Sequence, residues 1–450
     1  MKPRRQGRHG REVRVTAATS LKHVLDGYRV LDFTHALAGP TATRLLAEMG
    51  AEVIKLEIPP VGDMTHAFPT VRNGRSAFYV QQNRGKKSLF LDVKTPPGLA
   101  IAKALAKVVD VLVENFAPGV MARMGLDYPT LAELNPRLVM CSISAFGQTG
   151  PLAARPGYDF IAQAMAGVTH VIGEPDRPPS LPGLGLGDVM TGVHGLGAIA
   201  CALLYRERTG RGQHLDISLL DSYYHCHDLN VQLHSASGGR IDPRRSGSHL
   251  AAGAPLGVFR GKAPDEFIAI ACATNRQWRQ LCQAIGREEL ARHPDYRDNA
   301  GRIKRRQRII ALLEEWIAGQ DSTAAVLEAL DRHRVPCAPV LTIGQTIAHP
   351  HHRARGTVRR LHDPQFGEFE APGFPLRFSA FPEPLDLQTP SRGEHNAEIL
   401  KTYLGLGDAE LAALVEAGVL VTEETRMAKS ERGAGGSKPG PHGTKEENRE

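Results

Sequence analysis

One carboxylate, Asp188, stands in the run "GLGLGDVMTG" (residues 183–192), just ahead of the apolar stretch "VMTGVHGLGAIACALLYRER". Asp is a preferred helix N-cap, and the stretch behind it reads as a buried helix. Glycines also clear space around an acid, so a substrate can reach it and backbone amides can approach a developing oxyanion. The segment therefore predicts either a capping acid or a reactive one. Further polar residues follow expected strands. "VENFAPGVMARMG" (113–125) puts Asn115 at a strand end and Arg123 about a turn and a half into a helix expected to begin at Pro118. Amide N–H groups there, with Arg123, suit a phosphate-bearing ligand. "QNRGKKSLFLDVK" (82–94) is a basic loop leading into another strand.

Other chemistries find less support. His225 and His227 are two apart, and His349, His351 and His352 crowd around Pro350. A helical ligand pair needs i, i+3 or i+4 spacing; His349 and His352 have it, but Pro350 between them suggests a turn or a helix start, and HExxH is absent, so no metal site is expected. Without GxSxG no serine hydrolase is expected either. The six cysteines lack CxxC spacing and mostly lie in apolar runs, which reads as reduced, buried thiols in a cytoplasmic protein.

Elements that position these residues follow from periodicity. "YRVLDFT" (28–34) and "AEVIKLE" (51–57) are short apolar strands flanking the helix "TATRLLAEMG" (41–50). Such alternation implies a right-handed parallel crossover. It resumes with "KSLFLDV", "GLAIAKALAKVV", "DVLVENF" and "RLVMCSIS". The fold class is α/β: a Rossmann-like open parallel sheet, with ligand expected beyond the strands' carboxyl ends. The loop "THALAGPTATR" has one glycine where GxGxxG needs three, which argues against a dinucleotide. From about Leu250 the texture becomes α+β. "GVFRGKAPDEFIAIACAT" reads as two strands, and "GRIKRRQRIIALLEEWIAGQ" as one amphipathic helix whose basic side is solvated or meets another subunit.

The chain has 450 residues, 42% of them hydrophobic, enough for two domains. Residues 1–14 carry six Lys/Arg against one Glu and residues 426–450 six against four, which accounts for the whole net charge of +7. The body is formally neutral, so no nucleic-acid partner is expected. No long unbroken apolar run suggests a membrane span or secretory signal. The segments expected are a basic tail (1–24), a large α/β domain (25–230), a small α+β domain (231–335), a return to the large domain with closing helices (336–425), and a tail (426–450).

The ordered motifs "LDFTHALAGP", "GAEVIKLE", "NRGKKSLFLDVK", "VENFAPGVMARMGLDY", "LNPRLVMCSISAFGQTGP", "GYDFIAQAMAG", "GDVMTGVHG" and "YRERTGRGQHLDISLLDS" resemble the family III CoA-transferases. That family includes formyl-CoA transferase and carnitine CoA-transferase and is related to alpha-methylacyl-CoA racemase. The resemblance covers about residues 25–420 and implies an interlocked homodimer. It also implies a coenzyme A thioester as substrate rather than a permanently bound cofactor, and a free carboxylic acid as the other substrate. Asp188 matches the family's nucleophile, which forms an acyl-aspartyl anhydride; the helix N-terminus is expected to keep it ionised. Asn115, Arg123, Lys94 and the backbone at Ala38 and Leu91 match CoA contacts. Leu37 and Ile58 depart from the pattern, the latter where an Arg lies near adenine, and Arg84 or Lys86 are the candidates to replace that charge. "HLAAGAPLGVF" (249–259) stands in place of a glycine run, so oxalate is not the expected acid. Tyr158 occupies the position of the racemases' catalytic His; a phenol near pKa 10 is a poor base, and it is expected to line the thioester pocket. The alternatives are an acyl-CoA racemase or a CoA-thioester-binding protein without turnover.

Overall fold

The computed structural model describes residues 21–422, so residues 1–20 of the basic tail expected over 1–24, and the whole tail expected over 426–450, lie outside the described residues. Six strands pair in parallel: β1 (Arg29–Asp32), β2 (Glu52–Glu57), β3 (Lys86–Phe90), β4 (Val111–Glu114), β5 (Val139–Ser144) and β6 (Gln213–Ser218). Their spatial order is β3-β2-β1-β4-β5-β6. The sheet thus grows one way from β1 and the other way from β4, leaving a switch point between those two strands.

The central strands bury apolar side chains on both faces because helices cover both, with the charged Asp32, Lys55 and Glu114 buried at or near their carboxyl ends. Leu112 and Met140 face one core, with helix α2 (Pro96–Val108) and the closing helices Asn396–Leu404 and Asp408–Glu416. Val111, Val113 and Cys141 face the other, under α1 (Ala38–Glu48) and α5 (Leu186–Thr209). Two shorter helices, α3 (Val120–Arg123) and α4 (Asp159–Met165), follow β4 and β5. Strand β6 escapes a reading by apolar runs: it is an edge strand, half exposed, with polar Gln213, His214 and Asp216.

Helix α5 crosses α1 closely enough that a methyl on Gly192 would lie 2.6 Å from the Ala38 carbonyl oxygen and 2.7 Å from Thr41 Cβ. Its other side leaves Val189, Val193, Leu204 and Tyr205 exposed, so the helix expected to be buried is buried on one face only. By length and composition alone it is long and apolar enough to cross a membrane; its inner face packs on the sheet.

A second, three-stranded antiparallel sheet, ordered β9-β8-β7, is built from β7 (Leu256–Arg260), β8 (Phe267–Ala271) and β9 (Cys337–Pro339). Its own core contains Trp278, Leu313 and Leu330. Strand β9 pairs with β8, so this unit extends past the boundary expected at residue 335. The single basic helix expected over 301–320 is two, Asn299–Lys304 and Arg306–Ala318. Arg302 is not solvated: it is fully buried, its guanidinium donating to the carbonyls of Ala254 and Tyr296. Cys201 and Cys226 are exposed, against the expectation of buried thiols. A hairpin of β10 (Val358–Asp363) and β11 (Gly367–Pro372) follows.

Gly192→Ala forces a methyl against a backbone oxygen that cannot swing aside. It is expected to cost about 1–3 kcal/mol of stability, read as a lower urea midpoint; a wild-type midpoint would show that α1 and α5 separate freely.

Candidate active site

The loop joining β1 to α1 is held residue by residue. Thr34 donates its amide (2.8 Å) and hydroxyl (2.6 Å) to Asp32. The Thr34 carbonyl accepts from Lys55, which also pairs with Asp63 at 2.9 Å, both side chains fully buried. His35 donates its amide to the Asn115 side chain, whose own amide donates back to the His35 carbonyl, each at 2.8 Å. The Ala36 amide donates to Asp63 at 3.2 Å, fixing Ala36 in the left-handed region at φ 64°. Burial alone would raise the Asp63 carboxyl; Lys55 and the backbone donors of Thr65 and Ala36 outweigh it and hold the group well below the usual carboxylate range.

Asn115 thereby ties the ends of β1 and β4 together across the switch point. A cleft of about 440 Å³ opens there, lined among others by Ala38, Asn115, Arg155, Tyr158, Asp159 and Asp188. This is where an open parallel sheet places its ligand.

Asp188 is the third residue of α5. Gly185 occupies the N-cap, and no side chain caps the helix, so the capping reading does not hold. Nor does the helix N-terminus keep Asp188 fully ionised. Burial, and then the neighbouring Asp159, push its carboxyl up to about 7. The glycines have specific causes. A methyl on Gly187 would overlap the Tyr223 ring and lie 2.5 Å from Asp159 Oδ1, and one on Gly185 would lie 2.6 Å from Leu37 Cδ2. The Gly187 amide is not free to bind an oxyanion, because it donates to the Tyr223 hydroxyl at 3.0 Å. That hydroxyl in turn donates to Asp159. A hydrogen-bonded chain thus links the turn carrying Asp188 to the second carboxylate.

Of the residues predicted from sequence, Ala38, Asn115, Tyr158 and Asp188 meet in this cleft; Tyr158 is 69% exposed at its rim. Asn115 enters as a clamp on His35. Leu91 is fully buried, its amide donating to the Glu57 carbonyl. Lys94 and Arg123 are exposed and lie outside the cleft lining. The helix bearing Arg123 has only four residues and starts at Val120, after Gly119 at φ 83°, not at Pro118. Arg84 and Lys86 do not supply a charge for the ligand: Arg84 is bound to Glu48 at 2.7 Å and Lys86 to Asp32 at 2.9 Å, all of them buried. Asp159 and Tyr223 were missed. Asp159 sits in "GYDF" beside Tyr158, but its partner is 64 residues away, and nothing local announces the contact.

An open α/β sheet thus places a partly buried carboxylate, Asp188, in its switch-point cleft. The chain belongs to family III of the CoA-transferases: the family model, CoA-transferase family III, matches residues 25–396. It is 34% identical over 402 residues to the succinyl-CoA:glutarate CoA-transferase of Homo sapiens, covering 89% of this chain and 91% of that one. It is 33% identical to the formyl-CoA:oxalate CoA-transferase of Rhodopseudomonas palustris strain HaA2, covering 90% and 99%. A CAIB/BAIF family protein from Brucella suis superposes with a TM-score of 0.74 at 36% identity, covering 85% of this chain and 99% of that one.

Asp159→Asn removes the neighbouring charge and keeps an acceptor for Tyr223. The Asp188 midpoint is expected to fall from about 7 toward the usual carboxylate range, read by carbodiimide labelling of Asp188 across about pH 4–8. An unmoved midpoint would leave burial as its whole cause. A carboxyl raised in the folded state loses stability as pH rises through its folded value, so Asp188→Asn should stabilise the fold near pH 8 and not near pH 4.

Proposed function

We propose that the protein moves CoA from an acyl-CoA thioester to a free carboxylic acid through anhydrides on Asp188. The observation that carries this is a carboxylate poised near neutrality in the lining of a cleft large enough for a thioester. The ionised Asp188 oxygen attacks the thioester carbonyl; the C–S bond breaks, giving an acyl-aspartyl anhydride and CoA thiolate. The incoming carboxylate then attacks the aspartyl carbonyl and releases the donor acid; where the thiolate attacks first, it releases the donor acid and leaves an aspartyl-CoA thioester, from which the acceptor carboxylate displaces the thiolate again. The sequence ends in an anhydride of Asp188 with the acceptor, which the thiolate cleaves to the new acyl-CoA. Splitting one difficult exchange into such steps, with the reactants held together, is what a weak nucleophile needs.

The relatives' names cover short acids, and a short acid other than oxalate is the acceptor class we infer, since residues 249–259 bear no glycine run. Ala38, Asn115 and Tyr158 line the thioester arm, with the nucleotide running toward Arg123, Lys94 and the backbone near Leu91. An interlocked homodimer, each chain a large domain split around a small one, fits the apolar outer face of α5, where Val189, Val193, Leu204 and Tyr205 await a covering surface.

Incubating the protein with a short acyl-CoA and then hydroxylamine is expected to leave a hydroxamate on Asp188. Asp188→Ala should lose both the adduct and turnover, with CoA affinity retained. An alanine variant with full activity would end the assignment.

One observation favours a second reading, racemisation: Asp159 supplies a second carboxylate beside Asp188, and moving an α-proton between faces needs two acid/base groups. In heavy water a transferase should leave the α-carbon of a 2-methylacyl-CoA unlabelled. Rapid deuteration, lost in Asp159→Asn, would establish the racemase instead.

A further inference from the structure

At the opposite end of the sheet lies a cavity of about 520 Å³ between His23, β10 and the extended segment 374–384. His23 packs against Gly50, at the amino end of β2. The Asp188 cleft opens at the strands' carboxyl ends, so at least a strand length, about 13 Å for four residues, separates the two.

Five arginines line the cavity: Arg353, Arg355, Arg359, Arg360 and Arg377. The acids near them are Glu370, which pairs with Arg353 at 2.8 Å, Glu368 and Glu370 beside Arg360 at 3.6 and 3.5 Å, and Glu383 in the wall. Arg359 donates to the Leu385 carbonyl at 2.7 Å, a neutral partner. Among the described residues, the guanidinium groups of Arg355 and Arg377 have no hydrogen-bonded or ion-paired partner. Five guanidinium groups thus face three carboxylates. The apolar wall is built by His23, 3% exposed and stacked on Phe381 at 4.7 Å, together with Phe374. Nδ1 of that buried ring has no hydrogen-bond partner.

Clustered like charges beside a low-dielectric wall repel one another and create a strong positive potential. Guanidinium forks match the oxygens of phosphate, and two free forks with others half-satisfied exceed what a single phosphate engages. The volume is that of a small-molecule site. We propose that this cavity binds a small polyanion bearing two or more linked phosphate groups, at a site separate from the Asp188 cleft.

The test is calorimetric titration of the full chain with inorganic pyrophosphate at about 0.15 M salt, where exposed charges are screened beyond roughly 8 Å. Saturable binding is expected, weakened at least tenfold in the double variant Arg355→Ala/Arg377→Ala, with acyl-CoA affinity unaltered. Arg123→Ala should leave pyrophosphate binding as in wild type. Arg355→Lys/Arg377→Lys, which keeps the charge and loses the fork, should fall between. Absence of binding overturns the proposal, as does equal weakening by Arg123→Ala, which would put pyrophosphate in the CoA site. It also fails if the alanine pair changes the oligomeric mass by light scattering and leaves pyrophosphate affinity intact, because the arginines would then serve contacts between copies.

Discussion

The cleft depends on a lysine that never meets water. Lys55 is fully buried, bonded to the Asp63 carboxylate and the Thr34 carbonyl, and through them it fixes the turn from β1 into α1. Burying an ion pair gains little by itself, because desolvation offsets most of the attraction, but losing one partner strands the other at a cost of about 3–5 kcal/mol. The arrangement therefore enforces a shape more than it adds stability. Ala36 shows the demand being made: a left-handed conformation costs an alanine about 1–2 kcal/mol, and the hydrogen bonds of its own amide to Asp63 and of the preceding His35 to Asn115 hold it there.

From that turn the rest of the site follows. Ala38 starts α1, and α1 supports α5 through the close approach at Gly192. The first turn of α5 presents Asp188, and the Gly187–Tyr223–Asp159 chain fixes the distance between two carboxylates. Their proximity and burial hold Asp188 near neutrality. Such a group is divided between an ionised form that can attack a carbonyl and a protonated form that a nearby cavity tolerates at lower cost.

Much of this was legible in the sequence. Apolar runs located β1 to β5, and the loop that lacks the glycine fingerprint is a turn held by side chains. Asp188 was singled out as either a capping or a reactive acid; Gly185 and Gly187 before it are required by Tyr223, Asp159 and Leu37, none of which its own segment announces. The errors share one cause: a residue's type does not reveal its partner. Arg84 and Lys86 look like surface charges until Glu48 and Asp32 arrive from distant segments. Arg302 looks solvated until the Ala254 and Tyr296 carbonyls receive it. Asp159 looks like an ordinary helix-start acid until Tyr223 reaches it. Strand β6 was invisible to a search for apolar runs because an edge strand alternates.

The central claim is that Asp188 is covalently engaged in every turnover, and oxygen tracing tests it most directly. When an acceptor carboxylate attacks the aspartyl carbonyl, one of its oxygens becomes the bridging oxygen of the anhydride, and it stays on Asp188 when the thiolate removes the acyl group. Turnover with an acceptor acid labelled with oxygen-18 in its carboxylate should therefore leave heavy oxygen in the peptide containing Asp188, detectable by mass spectrometry. Full turnover with that peptide unlabelled would contradict the account.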